Sequence, residues 1–224
     1  MDAPASNPDS TGAVARCPRC ALLVHSCLCD ELVPMALATR VVVMRHRKET
    51  YKTTNTGRLV PLTISRGEIR VFGERYDSID KMNLIDPARN TLLLYPSEDS
   101  RSLTREDGIS KPVTLIVPDA NWRRAFKLTS REPALRTVQR VHLPDGPPSK
   151  YRLRRHPDPR FLATFEAVAR ALGILEGAHV QAHLERLFAL MVERTLQSRG
   201  RFATYHALDQ DAAKRSTADG SPDE

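Results

Sequence analysis

The sequence predicts an α/β protein with a parallel sheet and a helical C-terminal third. Short apolar runs at residues 91–95 and 113–117 each end in a polar loop, which is typical of buried strands in a parallel sheet. After residue 160 the apolar residues instead recur at helical spacing. The first of these stripes consists of Phe161, Phe165, Val168 and Leu172. Together the two patterns favour a sheet whose strands are followed by helices.

Further strands are predicted from other short apolar runs, at residues 38–45, 69–73 and 135–143. The strand at 113–117 is expected to stop at Pro118, because proline cannot donate to a strand ladder. The segment at residues 59–64 is predicted to start either a helix or a strand. We expect two C-terminal helices. The first has Asp158 as N-cap and Pro159 at its first turn and ends at Gly173, and the second spans residues 178–197.

A candidate site follows the strand at 113–117, since ligands of open α/β sheets bind at the C-terminal ends of strands. Asp119, Asn121 and Trp122, the only tryptophan, lie there, with Arg123 and Arg124 on the next turn. The strand at 91–95 ends in the same way, at a Pro-Ser pair followed by acids. Because the two strands are predicted to be parallel, we expect their loops to lie side by side.

Composition and charge indicate a soluble chain with a polyanionic partner. The fractions of hydrophobic (41%) and charged (27%) residues are ordinary for globular proteins. No apolar run reaches the roughly 18 residues of a membrane span, and the N-terminus lacks the features of a signal peptide, so a cytoplasmic protein is expected. Residues 123–160 carry eleven Lys/Arg against three acids, and a second basic run spans residues 40–58. The alternative is a solvated basic face.

The four cysteines of the chain lie within thirteen residues, at Cys17, Cys20, Cys27 and Cys29. In a cytosolic protein clustered cysteines more often hold a metal than form disulfides. Two neighbouring cysteine pairs supply all four ligands of a tetrahedral structural zinc site, which then has no open position. The Cys-x-Cys spacing of the second pair is tighter than usual, so four reduced thiols remain the alternative. We therefore predict a four-cysteine zinc knuckle at residues 16–35, after a disordered stretch at 1–15, and a disordered tail at 203–224.

Common catalytic motifs are absent from the sequence: it has no GxGxxG, P-loop, GxSxG or HExxH. What it does contain is an ordered series of motifs: CPRC…CLC, TNTG, LLYPS, PDANWRRA and SKYRLR. In this order, over about residues 17–188, the chain resembles the DTW-domain proteins, the tRNA-uridine aminocarboxypropyltransferases. The usual family signature is Asp-x-Thr-Trp, and Asn121 stands here in place of the threonine. Asparagine also donates and accepts hydrogen bonds.

The resemblance implies a SPOUT-like fold with a deep trefoil knot, spanning residues 36–200 as the catalytic domain. It implies S-adenosylmethionine as co-substrate and tRNA as partner. The 3-amino-3-carboxypropyl arm would go to N3 of a uridine, leaving methylthioadenosine. No membrane or DNA partner is expected, and the choice between monomer and homodimer stays open.

The resemblance also assigns expected roles to the residues. Asp119 would act as general base or orient the uracil edge, or else only cap a helix; Trp122 would stack on a base, or else pack in the core. Asn121 completes the expected catalytic set. The residues expected to hold the donor are Pro96, Ser97, Asp119, Ser149, Tyr151, Arg152 and Arg154. The residues expected to meet the RNA are Arg45, Arg47, Lys48, Asn55, Thr56, Arg123, Arg124 and Lys127.

Two other functions share most of these residues. One is a SPOUT-type RNA methyltransferase that uses the same donor. The other is a zinc-bearing RNA-binding protein without chemistry. Composition and periodicity do not separate the three, and the order of the motifs favours the aminocarboxypropyltransferase.

Overall fold

The computed structural model of the chain describes residues 15–73, 84–153 and 161–200. At its centre is a sheet of six strands. These are β1 (Arg40–His46), β2 (Gly67–Phe72), β3 (Asn90–Leu94), β4 (Arg101–Ser102), β5 (Val113–Asp119) and β6 (Gln139–His142). Their order is β2-β1-β5-β3-β6-β4, and every neighbouring pair is parallel. The predicted α/β class with a parallel sheet is confirmed.

The strand boundaries agree with the predictions to within two residues except at the start of β6, and two of the differences have a physical reason. Strand β5 does not stop before Pro118 but continues to Asp119, which pairs with Arg45 of β1. The pairing of β5 with β3 ends at Ile116, so on that side the missing N–H of Pro118 breaks no ladder. The run at 135–143 is only partly a strand, because its first residues belong to a short helix that precedes β6.

The helices surround the sheet. They are α1 (Arg47–Thr50), α2 (Val60–Thr63), α3 (Trp122–Arg131), α4 (Pro133–Arg136), α5 (Thr164–Glu176) and α6 (Ala178–Ser198). The prediction for α6 is confirmed to within a residue. In the parts of the chain that the structure describes, no helix combines the length and apolarity needed to cross a membrane.

The predicted bounds of α5 are corrected at its C-terminal end. Gly173 does not end the helix, which continues to Glu176 and stops at Gly177. A Cβ atom at Gly173 would lie 2.7 Å from Cβ of Gln181, so this glycine serves the close packing of α5 on α6. The predicted N-cap, Asp158 with Pro159, lies outside the described residues, and Ala163 occupies the N-cap position.

The sheet is buried on both faces, as expected for parallel strands. Alternate strand residues point to opposite sides. One face, with Val41, Val43, Leu92 and Leu115, packs against α5, α6 and the cysteine-bearing segment. The other, with Val42, Met44, Leu93 and Ile116, packs against α3 and α4. This three-layer arrangement leaves the C-terminal ends of β1, β3 and β5 as one edge of the molecule.

Candidate active site

Asp119 is the centre of a hydrogen-bonded cluster at this edge. The residue is 5% exposed. Its Oδ2 accepts hydrogen bonds from Asn55 Nδ2 (2.6 Å) and Arg45 Nε (3.3 Å), and its Oδ1 accepts one from Thr164 Oγ1 (2.8 Å). The carboxylate therefore joins the end of β1, the loop before α2 and the first residue of α5. Asp119 lies at the end of the β5 strand, where the sequence places it, but it does not cap α3.

The chain brings these groups together through register and a close approach. Arg45 and Asp119 are paired residues of adjacent parallel strands. A Cβ atom at Gly57 would lie 2.8 Å from Oδ2 of Asp119, so only glycine lets the turn approach the carboxylate. A buried carboxylate needs a counter-charge and hydrogen bonds to remain ionised. The TNTG motif supplies the side-chain amide of Asn55 and, at Gly57, the space for the close approach. Strand β1 supplies the positive charge of Arg45.

Two polar atoms of this cluster have no hydrogen-bond partner among the described residues: Arg45 Nη2 and Asn55 Oδ1, both buried. The orientation of Asn55 follows from chemistry, because a carboxylate only accepts and Nδ2 must therefore face Asp119. Leaving such groups unpaired costs about 1–3 kcal/mol each. The cluster thus presents one cationic donor and one neutral acceptor for a ligand to satisfy.

An aromatic rim borders the cluster. The ring of Trp122 lies 4.9 Å from that of Phe161 and 5.7 Å from that of Tyr95, between centroids. Trp122 is nevertheless 41% exposed, so it does not serve only core packing. Part of the residue is therefore accessible to a ligand. Tyr95 directly follows β3, so its contact with Trp122 confirms that the loops after β3 and β5 are neighbours.

Asn121 is the N-cap of α3. Its Oδ1 accepts a hydrogen bond of 3.0 Å from the backbone N–H of Arg124. Threonine and asparagine are both good N-cap residues. The departure from the family signature therefore preserves a structural role, and the predicted catalytic role of Asn121 stays a prediction.

Glu166 organises the loop that carries Ser149, and the sequence analysis missed it. Its carboxylate is buried and accepts from Ser149 Oγ (2.5 Å), Lys150 N (2.7 Å) and Ala163 N (2.9 Å). A Glu three residues after an N-cap is half of a capping box. Because Ala163 cannot supply the other half, the motif was not visible in the sequence.

Tyr151 connects the same loop to the TNTG segment. Its hydroxyl donates to the carbonyl oxygen of Thr54, and its ring packs against Phe188 of α6. In that segment, Thr56 Oγ1 accepts from the backbone N–H of Phe165. The loop predicted to hold the donor is thereby fixed beside the Asp119 cluster.

The other residues predicted for the donor lie along the same edge or beyond the described chain. Pro96 and Ser97 follow β3, and a serine turn fixes their loop: Ser97 N donates to Ser100 Oγ at 3.1 Å. Arg152 is half-buried, in the loop fixed by Tyr151. Arg154 lies outside the described residues.

The basic residues predicted to meet RNA divide by exposure. Arg47, Lys48, Arg123 and Lys127 are exposed, and Arg124 is half-buried. Arg45 is buried on Asp119 and faces the cluster instead of the solvent.

His46 belongs to the basic run at residues 40–58. Its Nδ1 accepts from the backbone N–H of Lys48 at 3.1 Å. Burial, followed by the charge of Arg124, lowers the pKa of His46 below its usual value. The lowered pKa and the hydrogen bond that Nδ1 accepts both favour the neutral imidazole.

The cysteines form a compact cluster. The four Sγ atoms all lie within 4.8 Å of one another, with Cys17–Cys29 at 3.5 Å and Cys20–Cys27 at 3.7 Å. Zinc–sulfur bonds of about 2.3 Å in a tetrahedron give sulfur–sulfur distances of about 3.8 Å. The donor set and its spacing fit zinc.

Proton affinities in the cluster differ strongly. Backbone N–H groups of Cys20 and Arg19 donate to the Cys17 sulfur and lower its pKa to about 6. Burial raises the pKa of Cys29 to about 12. A bound dication would favour the thiolate at both positions.

The cysteine segment is packed on α6. Cys20, Leu22 and Leu28 are buried in the same core as the helix. Arg194 donates to the carbonyl oxygen of Cys27 and lies 3.6 Å from the carboxylate of Glu31. The predicted knuckle therefore supports the C-terminal half of α6.

Comparison with known proteins identifies similar chains. The DTW domain family matches residues 14–196. The tRNA-uridine aminocarboxypropyltransferase 2 of Drosophila melanogaster is 31% identical over 168 residues, which cover 72% of this chain and 66% of that protein. The proteins of the same name from Macaca fascicularis and Mus musculus are each 29% identical over 71% of this chain. The chain spans 56% to 66% of the length of these relatives. No solved structure matches.

Proposed function

The chain belongs to the DTW domain family, and from this premise we propose that it transfers the 3-amino-3-carboxypropyl group of S-adenosylmethionine to N3 of a uridine in tRNA. The names of the similar proteins support the reaction. The observation that carries the proposal is the buried Asp119 cluster, with its two unpartnered polar atoms beside the exposed Trp122.

The reaction is a substitution at carbon. A bond forms between uridine N3 and Cγ of the methionine arm, the bond from Cγ to sulfur breaks, and its electron pair leaves with methylthioadenosine. The proton of N3 goes to a base. The sulfonium donor supplies an activated carbon, so the protein has mainly to position the two reactants and exclude water. N3–H is a weak acid and gains from groups that stabilise the uracil anion.

The cluster offers groups that match the uracil edge. Asn55 Oδ1 accepts from N3–H, and Arg45 Nη2 donates to a uracil carbonyl, on which negative charge grows as N3 loses its proton. Asp119 fixes both side chains through Oδ2. Its Oδ1 accepts one hydrogen bond, from Thr164, and keeps a lone pair, so we assign the proton to this atom, which takes it directly once N3–H turns from Asn55 to the carboxylate. The open face of Trp122 stacks on the base.

The donor is assigned to the loops after β3 and β6, with Pro96, Ser97, Tyr151, Arg152 and Arg154. The hydroxyl of Tyr151 donates to the carbonyl oxygen of Thr54, and the hydroxyl of Ser149 donates to the carboxylate of Glu166. Because both hydroxyls are already engaged, we infer that these two residues shape the pocket. A guanidinium is suited to the carboxylate of the methionine arm.

Two structural features belong to the same proposal. We infer a zinc ion on the four cysteines, supported by their spacing. We also infer the trefoil knot of SPOUT-like proteins. The knot is supported by family membership.

A label-transfer assay tests the reaction. The full chain, purified without chelator, is incubated with unmodified tRNA and with S-adenosylmethionine labelled either on its carboxyl carbon or on its methyl group. We expect carboxyl label in tRNA, retained in a uridine nucleoside on digestion. We expect Asp119→Asn to lose this transfer at a temperature at which circular dichroism shows the variant to be folded, and the exposed Asp145→Asn to keep it.

The other functions predict different results. Methyl label in tRNA would identify a methyltransferase. Binding of tRNA without transfer of either label would identify an RNA-binding protein without chemistry. Equal transfer by Asp119→Asn and the native chain would remove Asp119 from the reaction.

A further inference from the structure

Helix α3 presents two aromatic side chains on one exposed face. Trp122 is 41% exposed and Phe126 is 60% exposed. The two are four residues apart, so they are neighbours on the helix surface. The helix packs on the sheet through Ala125, Leu128 and Thr129 instead. The fold therefore does not account for Phe126.

A row of cations runs beside the aromatic pair. Arg123, Lys127 and Arg131 follow one another at four-residue spacing, and all three are exposed. None of them forms an ion pair with another residue that the structure describes. The helix contains no acidic residue. Positive charge next to open aromatic faces is the combination with which proteins bind single-stranded nucleic acids.

We propose that Phe126 stacks on a base next to the target uridine, while Arg123, Lys127 and Arg131 contact the phosphates of the same strand. The inference rests on the proposed function, in which Trp122 receives the uridine. It adds a second stacking residue to the site and defines the bound RNA as an unpaired segment.

The spacing of the two rings explains why the segment must be unpaired. Residues four apart rise about 6 Å along a helix axis. Stacked bases rise only about 3.4 Å. Neighbouring bases that contact both rings must therefore be unstacked from one another, which loops permit and duplexes resist.

The charge of this face argues against a second copy of the chain as its occupant. In a two-fold interface the same patch meets itself. Three cations would then oppose three cations with no acid of α3 between them. A polyanionic strand has the complementary charge.

Binding of short RNA tests the inference without any need for catalysis. The probe is a fluorescent oligouridylate of about eight nucleotides, within the usual site sizes for single strands. A matched probe has abasic ribose at every position and the same phosphates. Both are titrated into the zinc-loaded full chain, and Kd is measured by anisotropy at several salt concentrations.

We expect Phe126→Ala to raise Kd for oligouridylate about 5- to 150-fold, the range for loss of one base–aromatic stack. Phe126→Tyr should restore binding. Ile109→Ala, which truncates a side chain that is 73% exposed away from α3, should bind like the native chain. On the abasic probe, Phe126→Ala and the native chain should have equal Kd.

The salt dependence separates stacking from charge. Phe126→Ala should keep the slope of log Kd against log salt, and Lys127→Ala should reduce it by about one. Unchanged binding by Phe126→Ala would overturn the inference, as would an equal loss on the abasic probe. A native dimer that Phe126→Ala converts to monomer, with unchanged RNA binding, would also overturn it and assign the face to self-association.

Failure of the proposed function is a separate result. Label transfer to tRNA together with native binding by Phe126→Ala would overturn only the stacking role. Loss of oligouridylate binding in Phe126→Ala, with no label transfer by the native chain, would support the stacking role and overturn the enzyme assignment.

Discussion

At the scale of single residues, the candidate site depends on one buried carboxylate. Asp119 was placed at the end of a buried strand from the sequence, and the structure confirms that position. Its partners were not predictable in the same way. Asn55 and Thr164 lie 64 and 45 residues away along the chain, and no local pattern connects them. Arg45 was predicted to contact a phosphate, because the sequence does not show which basic residues are exposed. The register of β1 and β5 instead places it opposite Asp119.

Replacing Asp119 by Asn should be costly, because Arg45 would keep its charge in a buried position without a counter-ion. Loss of one partner of a buried ion pair destabilises a protein by about 3–5 kcal/mol. Asp119→Asn is therefore expected to lower the urea midpoint strongly. Asp99→Asn, which removes the exposed partner of Arg140, should change it little. Equal midpoints for the two variants would contradict the assignment of Arg45 and Asp119 as a buried pair.

Gly57 tests the packing around the same carboxylate. A Cβ atom there would lie 2.8 Å from Asp119 Oδ2 and 3.1 Å from Val43 Cγ1, so Gly57→Ala must displace the cluster. We expect a loss of about 1–3 kcal/mol in the free energy of unfolding, typical of overpacking, and a larger loss of label transfer. At Gly108 the nearest atoms are 3.8 Å away, which makes Gly108→Ala a matched control. If both variants had the stability and the label transfer of the native chain, the close approach of Gly57 to Asp119 would be unimportant for both properties.

At the scale of elements, apolar periodicity predicted which segments form strands and helices, but contacts with other elements set several boundaries. Gly173 was expected to end α5 from local propensity. The approach of Gln181 explains why glycine is needed there within a continuous helix. Likewise Pro118 was expected to end β5, and the strand continues because β3 no longer pairs at that level. Such features depend on the neighbours of a residue in space.

Glu166 connects the start of α5 to the loop that contains Ser149, so a substitution there tests how two elements are joined. A carboxylate accepts from Ser149, Lys150 and Ala163 together, whereas the amide of a Gln residue turns one acceptor into a donor. Glu166→Gln should therefore leave at least one of these part-buried donors without its partner, at about 0.5–1.5 kcal/mol. Amide hydrogen exchange should increase in residues 149–153, and KM for S-adenosylmethionine should rise.

The matched control is Glu193→Gln, which changes an exposed residue of α6. Its exchange pattern and KM should be native. Protection of residues 149–153 that is unchanged in Glu166→Gln would show that the loop is held by Tyr151 alone.

At the scale of the whole molecule, the edge of the sheet collects groups from distant parts of the chain. The TNTG segment, the loops after β3 and β5, and the loop after β6 meet there, and family motifs indicated these segments before their contacts were known. The cysteine segment packs against α6 in the core of the molecule. We infer that its role is to stabilise the helical layer to which the loop of Tyr151 is attached.

Removal of the metal tests this role. The zinc-loaded chain should contain one zinc ion, and a strong chelator should lower its Tm, because the thiolates then lose their counter-charge while Cys20 and Leu28 remain in the core. The sign of the pH effect follows from Cys17. Its pKa is depressed to about 6, so the stability contributed by its thiolate is present above the thiol's usual pKa and is lost as pH falls through about 6. This loss belongs to the metal-free chain, so the Tm of the chelated chain should fall as pH drops through about 6. In the loaded chain protons compete with the metal for the thiolates, so the metal should be released as the pH falls further and the two Tm values should converge.

Cys20→Ser should abolish metal retention and reproduce the chelated Tm at pH 7. His25→Ala removes an exposed imidazole within the same segment and should retain the metal with a native Tm. Metal content is measured by elemental mass spectrometry and Tm by calorimetry. A chain that is free of metal when purified, with a Tm unchanged by chelator, would instead mean that four thiols suffice to pack this segment on α6.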